Sequence, residues 1–124
     1  MTDAPVPTPP ATITRLSTHV LDAALGRPAA GIPVVLESIS PDGGCGFVGE
    51  GVTDEDGRVH QVNTSALEPG EYRLSLATAS YFTAHHGTVF YPAVAVAFVL
   101  DGARPHYHIA VLASTFSYTT YLGS

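Results

Sequence analysis

The sequence predicts an all-β sandwich, and three observations carry the prediction. From Ile13 onward, short runs rich in Val, Ile, Thr, Tyr and Phe recur. Gly, Pro, Asp and Asn interrupt those runs at close intervals, as sandwich turns do. A single segment abandons the two-residue period of a strand. With 124 residues, the chain is one domain and long enough to bury its own core.

The elements follow in order. "ITRLSTHVLD" (13–22) alternates, with Leu16 and Val20 on one face and Ser17, His19 and Leu21 on the other. "LGRPAAG" is a turn and "IPVVLESIS" a second strand; "PDGGCG" forms a tight loop before the strand "FVGEGVT". "DEDG" is a turn in which Gly57 suits a positive φ, and "RVHQV" is a short strand after it. "EPGEYRLSLAT" reads as turn and strand. "ASYFTAHHG" (79–87) breaks the period and ends in glycine, so it is the one short helix. "YPAVAVAFVL" carries Pro92 at its start, where the missing N–H is tolerated. "DGARP" then turns the chain into "HYHIAVLAS", and "TFSYTTYLGS" closes it. The count is seven or eight strands in residues 13–124, with residues 1–12, "MTDAPVPTPPAT", as a disordered proline-rich leader.

Composition narrows the function. The chain is 45% hydrophobic and only 13% charged, so part of its apolar surface is expected in subunit contacts. A formal charge of −6 with five scattered basic residues argues against nucleic acid or an anionic membrane as partner. No run approaches the ~18 apolar residues of a membrane helix, and the first residues lack the pattern of a secretory signal. Cys45 is the only cysteine, so no disulfide closes within the chain and a cytoplasmic setting is expected.

Candidate chemistry sits on strands. His19 lies on the first, Arg58 opens a strand after a turn, and His106 and His108 share one face. Each taken singly also fits a hydrogen-bonded strand residue, or, for Arg58, a rim residue paired with Asp54 or Asp56. His85 and His86 close the helix, where cations favour the dipole. His106, His108 and His19 are chemically able to chelate zinc, but no spacing demands it and no metal is expected. Cys45 has no base partner in its glycine loop, and neither a Gly-x-Ser-x-Gly elbow nor a phosphate-cradling motif is present.

"THVLDAALGRPAAGIPVVLE", "TDEDGRV", "YFTAHHGTVFYP" and "HYHIAVLASTFSYTTYLGS" together resemble the transthyretin-like family and, within it, the bacterial 5-hydroxyisourate hydrolases. The resemblance covers nearly the whole chain after the leader. It implies an eight-stranded transthyretin sandwich with one short helix, assembled as a homotetramer (a dimer of dimers) whose sites lie in a channel between dimers. It also implies hydrolytic opening of the 5-hydroxyisourate ring in urate breakdown, without a cofactor. Carried over by motif, His19, Arg58 and His108 are the catalytic residues, and Tyr121 and Ser124 line the substrate pocket. A histidine is expected to act as general base, with the arginine on the substrate oxyanion. His106 is expected in a structural or supporting role.

Two positions depart from the family pattern. Leu122 stands where the family has arginine, and Ala110 where it has proline. A less cationic pocket acting on a different heterocycle, or a non-catalytic small-molecule binder of the transthyretin type, are the alternatives these departures leave open.

Overall fold

The protein is described here by a computed structural model covering residues 12–124. The expected leader falls outside the described residues except for Thr12, which is exposed and belongs to no strand. The rest is a sandwich of two sheets with one helix at its side.

The first sheet is built on β1 (Arg15–Asp22), which pairs in parallel with β8 (His106–Ala113) along all eight of its residues. β9 (Tyr118–Gly123) folds back on β8 through the Ser114–Ser117 turn. The other edge of β1 takes two short partners, β2 (Arg27–Pro28) and β5 (Arg58–Val59). The second sheet runs in the order β4 (Cys45–Val52), β3 (Pro33–Ile39), β6 (Gly70–Ala77), β7 (Ala93–Leu100). Among the described residues seven strands are long and two contain only two residues each. The segment read as the turn "LGRPAAG" contains β2, because Arg27–Pro28 folds back onto Leu21 and Asp22. Within "RVHQV" only Arg58 and Val59 pair as a strand; Val62 instead donates its N–H to the Leu16 carbonyl.

Alternation produces the core. Leu16 and Val20 of β1 and Ile109 and Val111 of β8 point inward and meet Val34, Leu36, Leu74 and Leu76 of the second sheet. The opposite face of the first sheet therefore carries Arg15, Ser17 and His19 on β1 beside His106 and His108 on β8. The parallel register sets Ser17 against His108 and Arg15 against His106. These neighbours lie about ninety positions apart in the chain, and only the strand pairing brings them together.

Gly57 is required where it stands. Its φ is +75°, and a Cβ there would come within 2.3 Å of the Val20 carbonyl oxygen. That tight turn brings Arg58 back against β1 opposite His19.

The helix α1 (Ala79–His86) ends at Gly87 in the left-handed conformation. It packs Phe82 into the core. His86, expected to serve the helix dipole, turns its side chain inward: its Nε2 lies 2.7 Å from Asp22 Oδ2 and its Nδ1 2.8 Å from the Thr115 hydroxyl. The Tyr81 hydroxyl donates to the same Asp22 oxygen, and the N–H groups of Ala24 and Leu25 donate to the other. Burial disfavours the Asp22 carboxylate, but the bonds from Tyr81, His86 and Leu25 outweigh it and hold its pKa below the usual carboxylate range. Burial and the same carboxylate push the Tyr81 hydroxyl up to about 12. The helix is thereby fastened to the end of β1.

Candidate active site

The outer face of the first sheet holds a cavity of ≈130 Å³ where β1, β5 and β8 meet the end of β9. Arg58 and His108 line it, together with Ser124. Arg15, His60 and His106 complete its cationic and imidazole wall, Ser17 supplies a hydroxyl, and no Asp or Glu side chain contributes to the lining. In a chain of formal charge −6, this is a local inversion of sign. His19 stands beside the cavity, its ring centroid 6.4 Å from that of His108.

Hydrogen bonds tie the wall together. The Ser17 hydroxyl lies 2.7 Å from His106 Nε2 and 2.7 Å from His108 Nδ1. On the far side of His106, Arg15 Nη2 lies 3.2 Å from Nδ1. His108 Nε2 has no partner among the described residues and is not sealed from solvent. Burial first, then the charges of Arg58, His106, His19 and Arg15, hold the His108 pKa below its usual value. His106 is lowered in the same direction by burial and by Arg15 and Arg104. Both rings are thus biased toward neutral imidazole, the form able to exchange protons near neutral pH.

Room for the His108 ring comes from Gly123, its partner across the β8–β9 ladder. A Cβ at Gly123 would sit 2.6 Å from His108 Cδ2, so any side chain there would displace the ring.

Arg58 forms no ion pair with Asp54 or Asp56 among the described residues; its backbone N–H donates to Asp54 Oδ1 at 2.9 Å, while Asp54 Oδ2 faces His60 at 3.5 Å. No side-chain carboxylate among the described residues lies within ion-pair distance of the Arg58 guanidinium. No group of three or more His, Cys, Asp or Glu is placed to share a metal ion among the described residues. Sequence reasoning overlooked Arg15, Ser17 and His60. The signal for the first two was present, since the period of β1 puts Arg15, Ser17 and His19 on one face.

A model of the HIUase/Transthyretin family matches residues 16–123. A 5-hydroxyisourate hydrolase of Salmonella dublin is 39% identical over 110 residues, covering 88% of this chain and 80% of the relative. The chain belongs to the HIUase/Transthyretin family. Among solved structures, Klebsiella pneumoniae 5-hydroxyisourate hydrolase superposes with a TM-score of 0.77 at 28% identity, covering 90% of this chain and 99% of the other. Transthyretin from Sparus aurata gives a TM-score of 0.80 at 32% identity, covering 89% and 97%. The two-sheet sandwich with its single helix is the fold shared with both.

Within this family fold, the C-terminal tetrapeptide divides between two surfaces. Ser124 lines the cationic cavity, and Gly123 accommodates His108. Leu122 pairs with the core residue Ile109, so it faces the other side of the sheet. There it lines an apolar cleft of ≈240 Å³ with Val96, Phe98 and Ile109. Tyr121 pairs with Ala110 on the same sheet face as His108 and is 52% exposed; it does not line the cavity, and part of it borders the apolar cleft. The departure at Leu122 therefore leaves the charge of the cavity wall unchanged. No helix among the described residues is long and apolar enough to cross a membrane.

Proposed function

We propose that this chain is a cofactor-free hydrolase that opens the ring of 5-hydroxyisourate in urate breakdown. The observation that carries the reading is the cavity, lined by no Asp or Glu side chain, in which Arg58 and His108 meet, with His19 beside it. Relatives named for this reaction point to the same substrate. A ring rich in carbonyl groups matches a wall of guanidinium, imidazole and hydroxyl donors.

Water attacks a ring carbonyl carbon, and the electron pair of the C=O bond moves onto oxygen. Arg58 stabilises that oxyanion with its planar donor fork. One of the histidines takes the proton that water loses, and it reaches the ring nitrogen as the C–N bond breaks. Ser124 supplies a hydroxyl at the wall, and Tyr121 a second one where neighbouring subunits close the site.

The closed site belongs to an assembly. A volume of ≈130 Å³ lies below the ~300–1,000 Å³ of ordinary ligand sites, so the single chain offers only part of the enclosure. Exposed Phe116, Val99, Phe90 and Leu122 are available for subunit contacts, and a homotetramer built as a dimer of dimers would cover them. The free, exposed Cys45 suits a reducing cytoplasm.

Following the absorbance of freshly generated 5-hydroxyisourate tests the reading. Decay faster than the spontaneous reaction is expected; an unchanged rate would overturn it. The likeness to a transthyretin favours one second reading, a binder without turnover. That reading requires ligand affinity to survive His108→Ala with no ureide consumed.

A further inference from the structure

We infer that Arg15, acting through His106 and Ser17, fixes the tautomer of His108, so that its Nε2–H is a donor to the substrate oxygen and His19 takes the proton from water. This deepens the proposed hydrolysis and rests on that reading for its substrate.

The direction follows from one fixed end. A guanidinium has five N–H donors and no acceptor, so Arg15 can only donate to His106 Nδ1 at 3.2 Å. His106 Nδ1 therefore carries a lone pair, and the proton of the ring is on Nε2. That Nε2–H donates to Ser17 Oγ at 2.7 Å. The Ser17 hydroxyl proton then points to His108 Nδ1, also at 2.7 Å. With Nδ1 accepting, neutral His108 bears its proton on Nε2, the nitrogen left without a partner in the chain and open to solvent. Reversing the relay would set a His106 N–H against an arginine N–H, two donors with no acceptor between them.

The surrounding charges agree with this polarity. Arg15 and Arg104 face His106, while Arg58, His106, His19 and Arg15 face His108, and no Asp or Glu side chain lines the cavity to favour an imidazolium. Neutral imidazole is an effective donor to a developing oxyanion when it is held in place. His108 Nε2–H and the Arg58 guanidinium then form a two-sided oxyanion site. His19 accepts a proton from the attacking water and delivers it to the departing nitrogen, so one O–C bond forms as one C–N bond breaks and no co-reactant is consumed. His108, Arg58 and His19 touch the reacting atoms; Arg15, His106 and Ser17 are positioning residues.

Long-range proton–nitrogen correlation on ¹⁵N-labelled protein reads the tautomer directly, with His108 assigned by its loss in His108→Gln. Well above the histidine titration, the wild-type ring is expected as a single Nε2–H form. Arg15→Met is expected to mix in the Nδ1–H form, raise the pH at which His108 titrates, and lower kcat about tenfold with KM little changed, less than the ~10²–10⁴-fold loss of a direct proton-transfer group. Arg15→Lys, which keeps a cation that only donates, restores the Nε2–H form. A wild-type His108 in the Nδ1–H form, or an Arg15→Met spectrum identical to wild type, overturns the inference. Absence of any ring opening by wild type overturns the proposed substrate instead, and the spectrum still decides the tautomer.

Discussion

Two histidine networks in this fold differ in what anchors them. His86 ends on a buried carboxylate: Asp22 collects bonds from His86, Tyr81 and two backbone N–H groups, and every donor is consumed. His108 ends on a guanidinium: Arg15 supplies only donors, so the relay through His106 and Ser17 runs one way and leaves a nitrogen free at the far end. The first network closes on itself and fastens the helix to β1. The second remains open, and its open end faces the cavity. Satisfied polar groups hold a fold together, while an unsatisfied one oriented by its neighbours is available to a substrate.

Substitutions should separate the two networks by what they damage. His19→Ala should lower ring-opening turnover by ~10²–10⁴-fold, the usual worth of a proton-transfer group, and His108→Ala by ~10²–10³-fold, that of an oxyanion donor, each with little change in thermal unfolding. Asp22→Ala should do the converse. It strands the Tyr81 hydroxyl and His86, and breaking a buried pair costs about 3–5 kcal/mol. Kinetics beside thermal denaturation would read both, and a His108→Ala protein that loses stability but keeps its turnover would abolish the distinction.

Acidification sharpens the same contrast. Burial and neighbouring cations hold His106 and His108 below the usual 6.5. As pH falls through 6.5, the unfolded chain takes up protons on these residues before the folded one does, so stability declines until the folded pKa values are passed. Asp22 has the opposite charge but the same sign of slope. Its pKa lies below 3.8, so its contribution is intact above that value and is lost only as pH falls through the folded pKa. The cavity network should therefore weaken the fold first, and the Asp22 network later. The Tm measured from neutral to acid pH should fall in two stages, and Arg15→Met should blunt only the upper one. A flat Tm down to pH 3.8 would contradict the assignment of both histidines.

Much of this was legible before any coordinates. The two-residue period of "ITRLSTHVLD" and "HYHIAVLAS" marks which residues share a sheet face, and "DEDG" announces the turn that Gly57 closes at φ +75°. What the sequence could not express is the parallel pairing of β1 with β8, which sets Arg15 beside His106 and Ser17 beside His108. Nothing local to either strand encodes that register. His86 shows the same limit: a histidine in the last turn of a helix suggests the dipole, and its partner, Asp22, lies 64 residues earlier.

Leu122 is the position where register changes the reading most. As a departure from a family arginine, it suggests a drift in substrate. Its pairing with Ile109 directs it into the apolar cleft beside Val96 and Phe98, on the sheet face opposite His108. Leu122→Arg should then leave turnover of 5-hydroxyisourate nearly unchanged, within roughly the twofold that corresponds to the ~0.5 kcal/mol of an ordinary surface substitution. Its larger effect should be on assembly, since a guanidinium would be introduced among apolar side chains at the exposed edge formed by β7 and β9. Steady-state kinetics alongside sedimentation would separate the two effects. A sharp rise in turnover with assembly unchanged would return Leu122 to the substrate site and show that the native cavity is tuned for a different heterocycle.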